Sequence, residues 1–214
     1  MPYSSDKRLL TPFGSMIYKG QCNDTLMSFL KDVAEKTKER GEDHGHKLAG
    51  NIEDQRTCVI RNNRFKTLIY PHIYAYHIAC MERTARYALG DNYWGPSKDV
   101  PDGMIDFRIH GGPWINFMKK GEFNPIHSHT GEISSVVCID IPIEISQEET
   151  PYESNMPCAG QLEFIDYEPG THKEITKTGD IFLFPADLKH CVYPFASDVE
   201  RVTMSFNVDG VRYV

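Results

Sequence analysis

Gly121-Glu122-Phe123-Asn124-Pro125-Ile126-His127-Ser128-His129-Thr130-Gly131-Glu132 is the stretch on which the fold turns. Read as a strand, it puts His127 and His129 on one face, because side chains alternate with period two. Two imidazoles on one face can share a metal ion. A third, His190, closes the run Gly179-Asp180-Ile181-Phe182-Leu183-Phe184-Pro185-Ala186-Asp187-Leu188-Lys189-His190. The next apolar strand carries Arg201 within Glu200-Arg201-Val202-Thr203-Met204-Ser205-Phe206-Asn207-Val208. This spacing predicts a metal held by His127, His129 and His190 at the mouth of a β-barrel, with Arg201 as the anchor for an acidic ligand.

Outward from that stretch, the period-two pattern covers everything after residue 104. Met104–His110, Trp114–Met118, Ile133–Ile141, Gln161–Ile165, Ile181–Phe184, Cys191–Pro194 and Val202–Val208 read as short strands separated by turn residues. Many short strands after two helices predict a mainly β, α+β fold: a double-stranded β-helix, that is, a jelly-roll or cupin-like barrel flanked by helices. The insertion 144–160 is acidic, contains Pro151 and Pro157, and is too long for a tight hairpin, so it is a candidate lid.

Before residue 104 the periodicity is helical. Pro2, Pro12 and Gly14 mark residues 1–22 as an irregular or strand-forming entry. Asn23-Asp24-Thr25 forms an N-cap, and Leu26, Phe29, Leu30 and Val33 recur at helical spacing until Gly41. A second helix is expected from Pro71, a favourable first-turn residue, to Gly90, with His72 and His77 as packing or solvent-facing side chains. Residues 41–58 read as a polar, glycine-rich loop whose own pair, His44 and His46, has no strand to fix it as a metal site. The turn-rich segment 90–103 marks the junction. The expected organisation is therefore a single domain, 1–214, with a helical support segment 1–103 and a barrel core 104–214.

A length of 214 residues suits one well-filled core. The balance of 23 Lys+Arg against 30 Asp+Glu, net charge -7, and the lack of a basic run argue against a nucleic-acid surface. Apolar stretches shorter than ten residues and the absence of a hydrophobic leader predict a chain outside membranes, in the cytoplasm. Cys22, Cys58, Cys80, Cys138, Cys158 and Cys191 form no Cys-x-x-Cys pair and read as free thiols.

Three ligands on one side of a metal leave the opposite positions open, which is the logic of a catalytic site. Imidazole suits Fe(II), Mn(II), Ni(II) and Zn(II) alike, so the donors alone do not select the metal. A buried Arg201 requires an anionic partner, and a carboxylate matches its fork.

Residues 104–208 resemble the 2-oxoglutarate and Fe(II)-dependent oxygenases related to prolyl 4-hydroxylases, of the bacterial and marine-phage type. The resemblance rests on Trp114-Ile115-Asn116, Asn124-Pro125-Ile126-His127-Ser128-His129, Gly179-Asp180-Ile181-Phe182-Leu183-Phe184-Pro185, His190-Cys191-Val192-Tyr193-Pro194-Phe195 and Arg201-Val202-Thr203-Met204-Ser205-Phe206-Asn207-Val208. It implies that His127 and His190 bind iron, that Arg201 pairs with the distal carboxylate of 2-oxoglutarate, and that Thr203 donates a hydroxyl to that carboxylate. It further implies O2 as oxidant, oxidation of a C–H bond with conversion of 2-oxoglutarate to succinate and CO2, and a protein or small-molecule primary substrate. A homodimer is left open, and in a viral setting the location becomes the host cytoplasm. The departure is His129, where most of the superfamily carries Asp or Glu. Either Glu132 swings in as the carboxylate, or His129-Thr130-Gly131 echoes the His-x-Gly of iron halogenases and leaves a position for halide. The substrate entry is expected between the 144–160 and 41–58 segments, with Tyr152, Trp94 or Tyr193 in contact.

The chain also resembles cupins, whose first motif matches Gly121, His127, His129 and Glu132 within a residue, and whose second motif is approached by Gly179, Pro185 and His190. A cupin would use the same three histidines without a keto acid, and it needs no cation such as Arg201. A non-catalytic module that retains a metal is a third reading.

Overall fold

The computed structural model describes residues 8–10, 14–60, 63–89, 104–149, 157–166 and 170–214. Eleven strands lie in these residues: β1 (Arg8–Leu10), β2 (Ile17–Gln21), β3 (Asp54–Thr57), β4 (Ile105–Met118), β5 (Asn124–His127), β6 (Ile133–Asp140), β7 (Leu162–Ile165), β8 (Thr171–Glu174), β9 (Asp180–Pro185), β10 (Lys189–Val192) and β11 (Arg201–Tyr213). Helices α1 (Asp24–Arg40), α2 (Arg64–Leu89) and the single turn α3 (Ile143–Ser146) complete them. The larger sheet has the order β1-β2-β9-β6-β11-β4-β3, and the smaller one the order β5-β10-β7-β8. Phe164 of the smaller sheet meets Phe184 of the larger edge-to-face at 5.0 Å, so the two sheets close the expected jelly-roll.

Alternation along β11 assigns the two faces of the larger sheet. Met204, Phe206 and Val208 point to the helices, where they join Leu26, Leu30, Phe65 and Ile69 in one core. Arg201, Thr203, Ser205 and Asn207 have the opposite parity and face the barrel interior, whose own core holds Val136, Cys138, Phe164, Phe182 and Phe184. Phe206 is fully buried and meets Phe65 of α2 edge-to-face at 5.2 Å. Phe206→Ala is therefore expected to cost about 3–5 kcal/mol in urea unfolding, because the rigid sheet cannot collapse into the void.

Helix α1 follows its sequence signals. The Asn23 side chain accepts the Leu26 N–H at 2.9 Å, and Gly41 closes the far end by donating to the Thr37 carbonyl. Helix α2 corrects the expected start. It begins at Arg64 and runs through Pro71, which lies exposed inside it. An internal proline costs about 3 kcal/mol, but the first two turns bury Phe65 and Ile69 completely. Each such side chain contributes about 1.5–3 kcal/mol, so packing outweighs the break. As expected, His72 is a packing residue, hydrogen-bonded to the Tyr18 hydroxyl at 2.9 Å, and the His77 ring packs on Tyr213.

Two further differences concern strands. Met104–His110 and Trp114–Met118 are one strand, β4, interrupted at Gly111 and Gly112, whose φ values of 68° and 75° lie in the left-handed region that favours glycine. The loop expected at 41–58 contains β3, which pairs with β4 through Gln55 opposite Asn116. Asp-Gln-Arg-Thr has no apolar alternation, so backbone bonding, not burial pattern, makes this strand. The first 103 residues thus contribute strands to the barrel as well as helices. The junction 90–103, and residues 150–156 of the candidate lid, lie outside the described residues.

The six cysteines are free, and Cys22, Cys138 and Cys191 are buried. No described helix is long and apolar enough to cross a membrane.

Candidate metal centre

Strand pairing brings the histidines together. β5 and β10 are antiparallel neighbours with His127 directly opposite His190, and His129 follows where the Ala186 carbonyl accepts its backbone N–H at 2.8 Å. Ring centroids are 4.3 Å apart for His127 and His190, 4.9 Å for His127 and His129, and 5.2 Å for His129 and His190. One nitrogen from each lies within 4.8 Å of the others. The structure brings together the three histidines that the sequence singled out.

Their protonation suits a cation. Nδ1 of His127 lies 2.7 Å from the Pro125 carbonyl, and Nδ1 of His190 lies 3.0 Å from the Leu188 carbonyl. A carbonyl only accepts, so each Nδ1 carries the hydrogen and each Nε2 presents a lone pair. Burial pushes the His190 imidazole down to about 3 and that of His129 to about 4, and it lowers His127 as well. All three are neutral at pH 7.

Those shifts carry a sign for stability. The unfolded histidines titrate near 6.5, above the folded values, so below that pH the unfolded chain binds more protons. Chelator-treated protein is expected to keep full stability above pH 6.5 and to lose it progressively as the pH falls toward 4. A Tm series from pH 7.5 to 4.5 checks this, and the double variant His129→Gln/His190→Gln should show a shallower decline than wild type.

The three rings open into a cavity shared with Arg201, Thr203, Trp114, Asn116 and Gln55. Arg201 is only 2 % exposed, and its Nε and Nη2 atoms have no hydrogen-bond partner. Burial lowers its guanidinium pKa. An unpaired buried cation costs several kcal/mol, whereas an entering carboxylate would engage both free nitrogens at once. Thr203 lies two residues on, on the same strand and facing the same interior. Buried donors without partners beside converging imidazoles fit a metal together with an acidic ligand.

The alternatives for the acidic position fare differently. The Glu132 carboxylate accepts the backbone N–H groups of Gly210 and Val211 at 3.0 and 3.2 Å and is not part of the histidine cluster. His129 is part of it, and the cluster engages His127 as well, so the His-x-Gly arrangement has no support in the geometry. His44 and His46 do not converge. His44 stacks on Trp114 with centroids 5.8 Å apart, while exposed His46 pairs with Asp43. The Tyr193 hydroxyl donates to Glu163, and Tyr193 does not line the cavity; Trp94 and Tyr152 lie outside the described residues.

Sequence reasoning gave no role to Gln55, Asn116, Trp114 or Ser205, all of which line the cavity. Ser205 was legible, since it shares the parity of Arg201 and Thr203. Gln55 was not, because nothing local marks β3 as a strand.

Residues 112–207 match the family model described as "Putative 2OG-Fe(II) oxygenase". No curated protein matches the sequence. Among solved structures, the chain is similar to a prolyl-4-hydroxylase from Pseudomonas putida, with a TM-score of 0.51 and 12% identity over 89% of this chain and 91% of that one. It is also similar to a prolyl hydroxylase from Trichoplax adhaerens solved with a hypoxia inducible factor peptide, with a TM-score of 0.48 and 12% identity over 89% and 81%. HygX from Streptomyces hygroscopicus, solved with nickel, 2-oxoglutarate and hygromycin B, gives 0.48 and 13% over 92% and 82%.

Proposed function

We propose that this chain, a 2-oxoglutarate/Fe(II)-dependent oxygenase by the match over residues 112–207, hydroxylates a C–H bond and holds its iron through His127, His129 and His190. The observation that carries the reading is Arg201, a fully buried guanidinium with unpartnered nitrogens in the same cavity as the three imidazoles.

Iron and 2-oxoglutarate, when bound, supply the activation of O2, with the keto acid converted to succinate and CO2 and one oxygen atom delivered to the substrate. The chain's own residues do the positioning. The Pro125 and Leu188 carbonyls fix the tautomer and orientation of His127 and His190. Arg201 takes the distal carboxylate of 2-oxoglutarate through its planar fork, and the Thr203 hydroxyl donates to the same group. Phe184 and Phe164 pack on the His190 ring, at 4.7 and 6.5 Å between centroids, and keep water from its buried side.

With imidazole in place of a carboxylate, the ligand set is neutral, and dianionic 2-oxoglutarate alone balances the charge of Fe(II). Arg201 also separates this reading from the cupin one, which gives a buried cation no task. Peptidyl, prolyl and small-molecule side chains are the substrates to try first. A cytoplasmic setting, where free thiols stay reduced, completes the proposal.

The test is an anaerobic titration of the Fe(II)-loaded chain with 2-oxoglutarate, followed by succinate assay in air. A visible metal-to-ligand charge-transfer band and succinate formation are expected. Bound iron without a band would overturn the reading, and a band without succinate would leave a non-catalytic module.

A further inference from the structure

The cavity contains two acceptors that the chemistry above does not use. Gln55 on β3 is 1 % exposed and spends one N–H on the Asn116 side-chain oxygen at 2.7 Å, while its own Oε1 is buried with no partner. Asn124, three residues before His127 on β5, likewise has a buried Oδ1 without a partner. Both residues line the cavity. Their oxygens lie 3.2 and 3.3 Å from the point where a Cβ on Gly50 would stand, so both acceptors sit beside the Gly50 backbone. A buried acceptor left unmatched costs about 1–3 kcal/mol, so two of them side by side call for a donor.

The surroundings limit what that donor is. Among the described residues the cavity lining contains no carboxylate, and its one permanent charge is Arg201. A cationic group would therefore enter against Arg201 and the metal with nothing to neutralise it. Leu48, Ala49 and Ile52 supply apolar walls beside the pair. Gly50 packs closely against the pair: a Cβ on it would come within 2.8 Å of Gln55 Nε2.

We propose that Gln55 and Asn124 form the specificity subsite for the primary substrate and take a neutral hydrogen-bond donor of carboxamide or peptide N–H type. The inference rests on the oxygenase reading and adds the substrate class to it. The two oxygens hold the N–H group beside His127, while the attached carbon skeleton lies on the apolar wall.

The test uses the ¹⁵N-labelled chain loaded with Zn(II), which is diamagnetic, and 2-oxoglutarate. It is titrated with acetamide and, in parallel, with acetone, which has similar size and an acceptor but no N–H. Saturable shifts of the Gln55 and Asn124 side-chain amide signals are expected with acetamide and not with acetone. Gln55→Met and Asn124→Leu should each weaken acetamide binding about tenfold, the effect of one lost hydrogen bond. The charge-transfer band of their Fe(II) and 2-oxoglutarate forms should be unchanged. Equal shifts from acetone, or no saturable response to acetamide while 2-oxoglutarate is bound, would overturn the subsite. The wild-type comparison decides even if a variant fails to fold. Failure of the wild-type band would instead remove the oxygenase reading beneath it.

Discussion

Arg201→Met should abolish 2-oxoglutarate binding and, in the same protein, raise the melting temperature of the ligand-free chain. Both effects come from one observation: a guanidinium buried to 2 % exposure, with Nε and Nη2 unpartnered and no described acidic side chain paired with it. Removing one partner of a buried, hydrogen-bonded charge pair costs about 2–5 kcal/mol of affinity, a factor of about 30 to several thousand. Replacing an unsatisfied buried charge by a hydrophobic side chain of similar length removes its desolvation cost, and exchanges of buried ions for apolar groups have stabilised proteins by about 1–4 kcal/mol. Isothermal titration of the iron-loaded chain and a thermal melt of the ligand-free chain measure the two. A variant that loses both affinity and stability would mean that Arg201 is a structural residue with a partner in solution.

His190→Ala should lose the metal outright, while His129→Asp should keep it. His190 is the most buried of the three, and its Nδ1 is fixed by the Leu188 carbonyl, so its removal deletes an oriented donor that solvent cannot readily replace. With two ligands left, affinity for Fe(II) or its surrogate Co(II) should fall by more than the roughly 10–100-fold typical of losing an outer partner. His129→Asp exchanges a neutral donor for an anionic one at the same point of the cluster and should bind the metal at least as tightly as wild type. Equilibrium dialysis with Co(II), and the rise in Tm on metal addition, read both. Wild-type affinity in His190→Ala would separate the histidine cluster from metal binding altogether.

Much of this was legible in the chain. The period-two runs after residue 104, the cap at Asn23 and the His-x-His pair depend on local order, and local order survives folding. The parity of β11 was legible too, and it brought Arg201 and Thr203 into the cavity. What escaped depended on distant partners. Helix α2 begins before Pro71 because Phe65 and Ile69 find the back of the sheet, which no window around residue 65 contains. β3 exists because β4 offers it an edge, and so Gln55 went unnoticed. Glu132 stayed a rival ligand on paper because its hydrogen bond from Gly210 of β11, across 78 residues of chain, is invisible in sequence.

Trp114 links two parts of the molecule that sequence treats as separate. Its indole stacks on His44 at 5.8 Å and meets the His129 ring at a tilt at 5.5 Å. The 41–58 segment is consequently not a module that evolution or an engineer can exchange freely to change substrate preference. A graft there that dislodges His44 frees Trp114, and a freed Trp114 loosens His129. New selectivity in this scaffold should arise by point changes within the segment that spare His44, and loop transplants should be recovered with weakened metal retention.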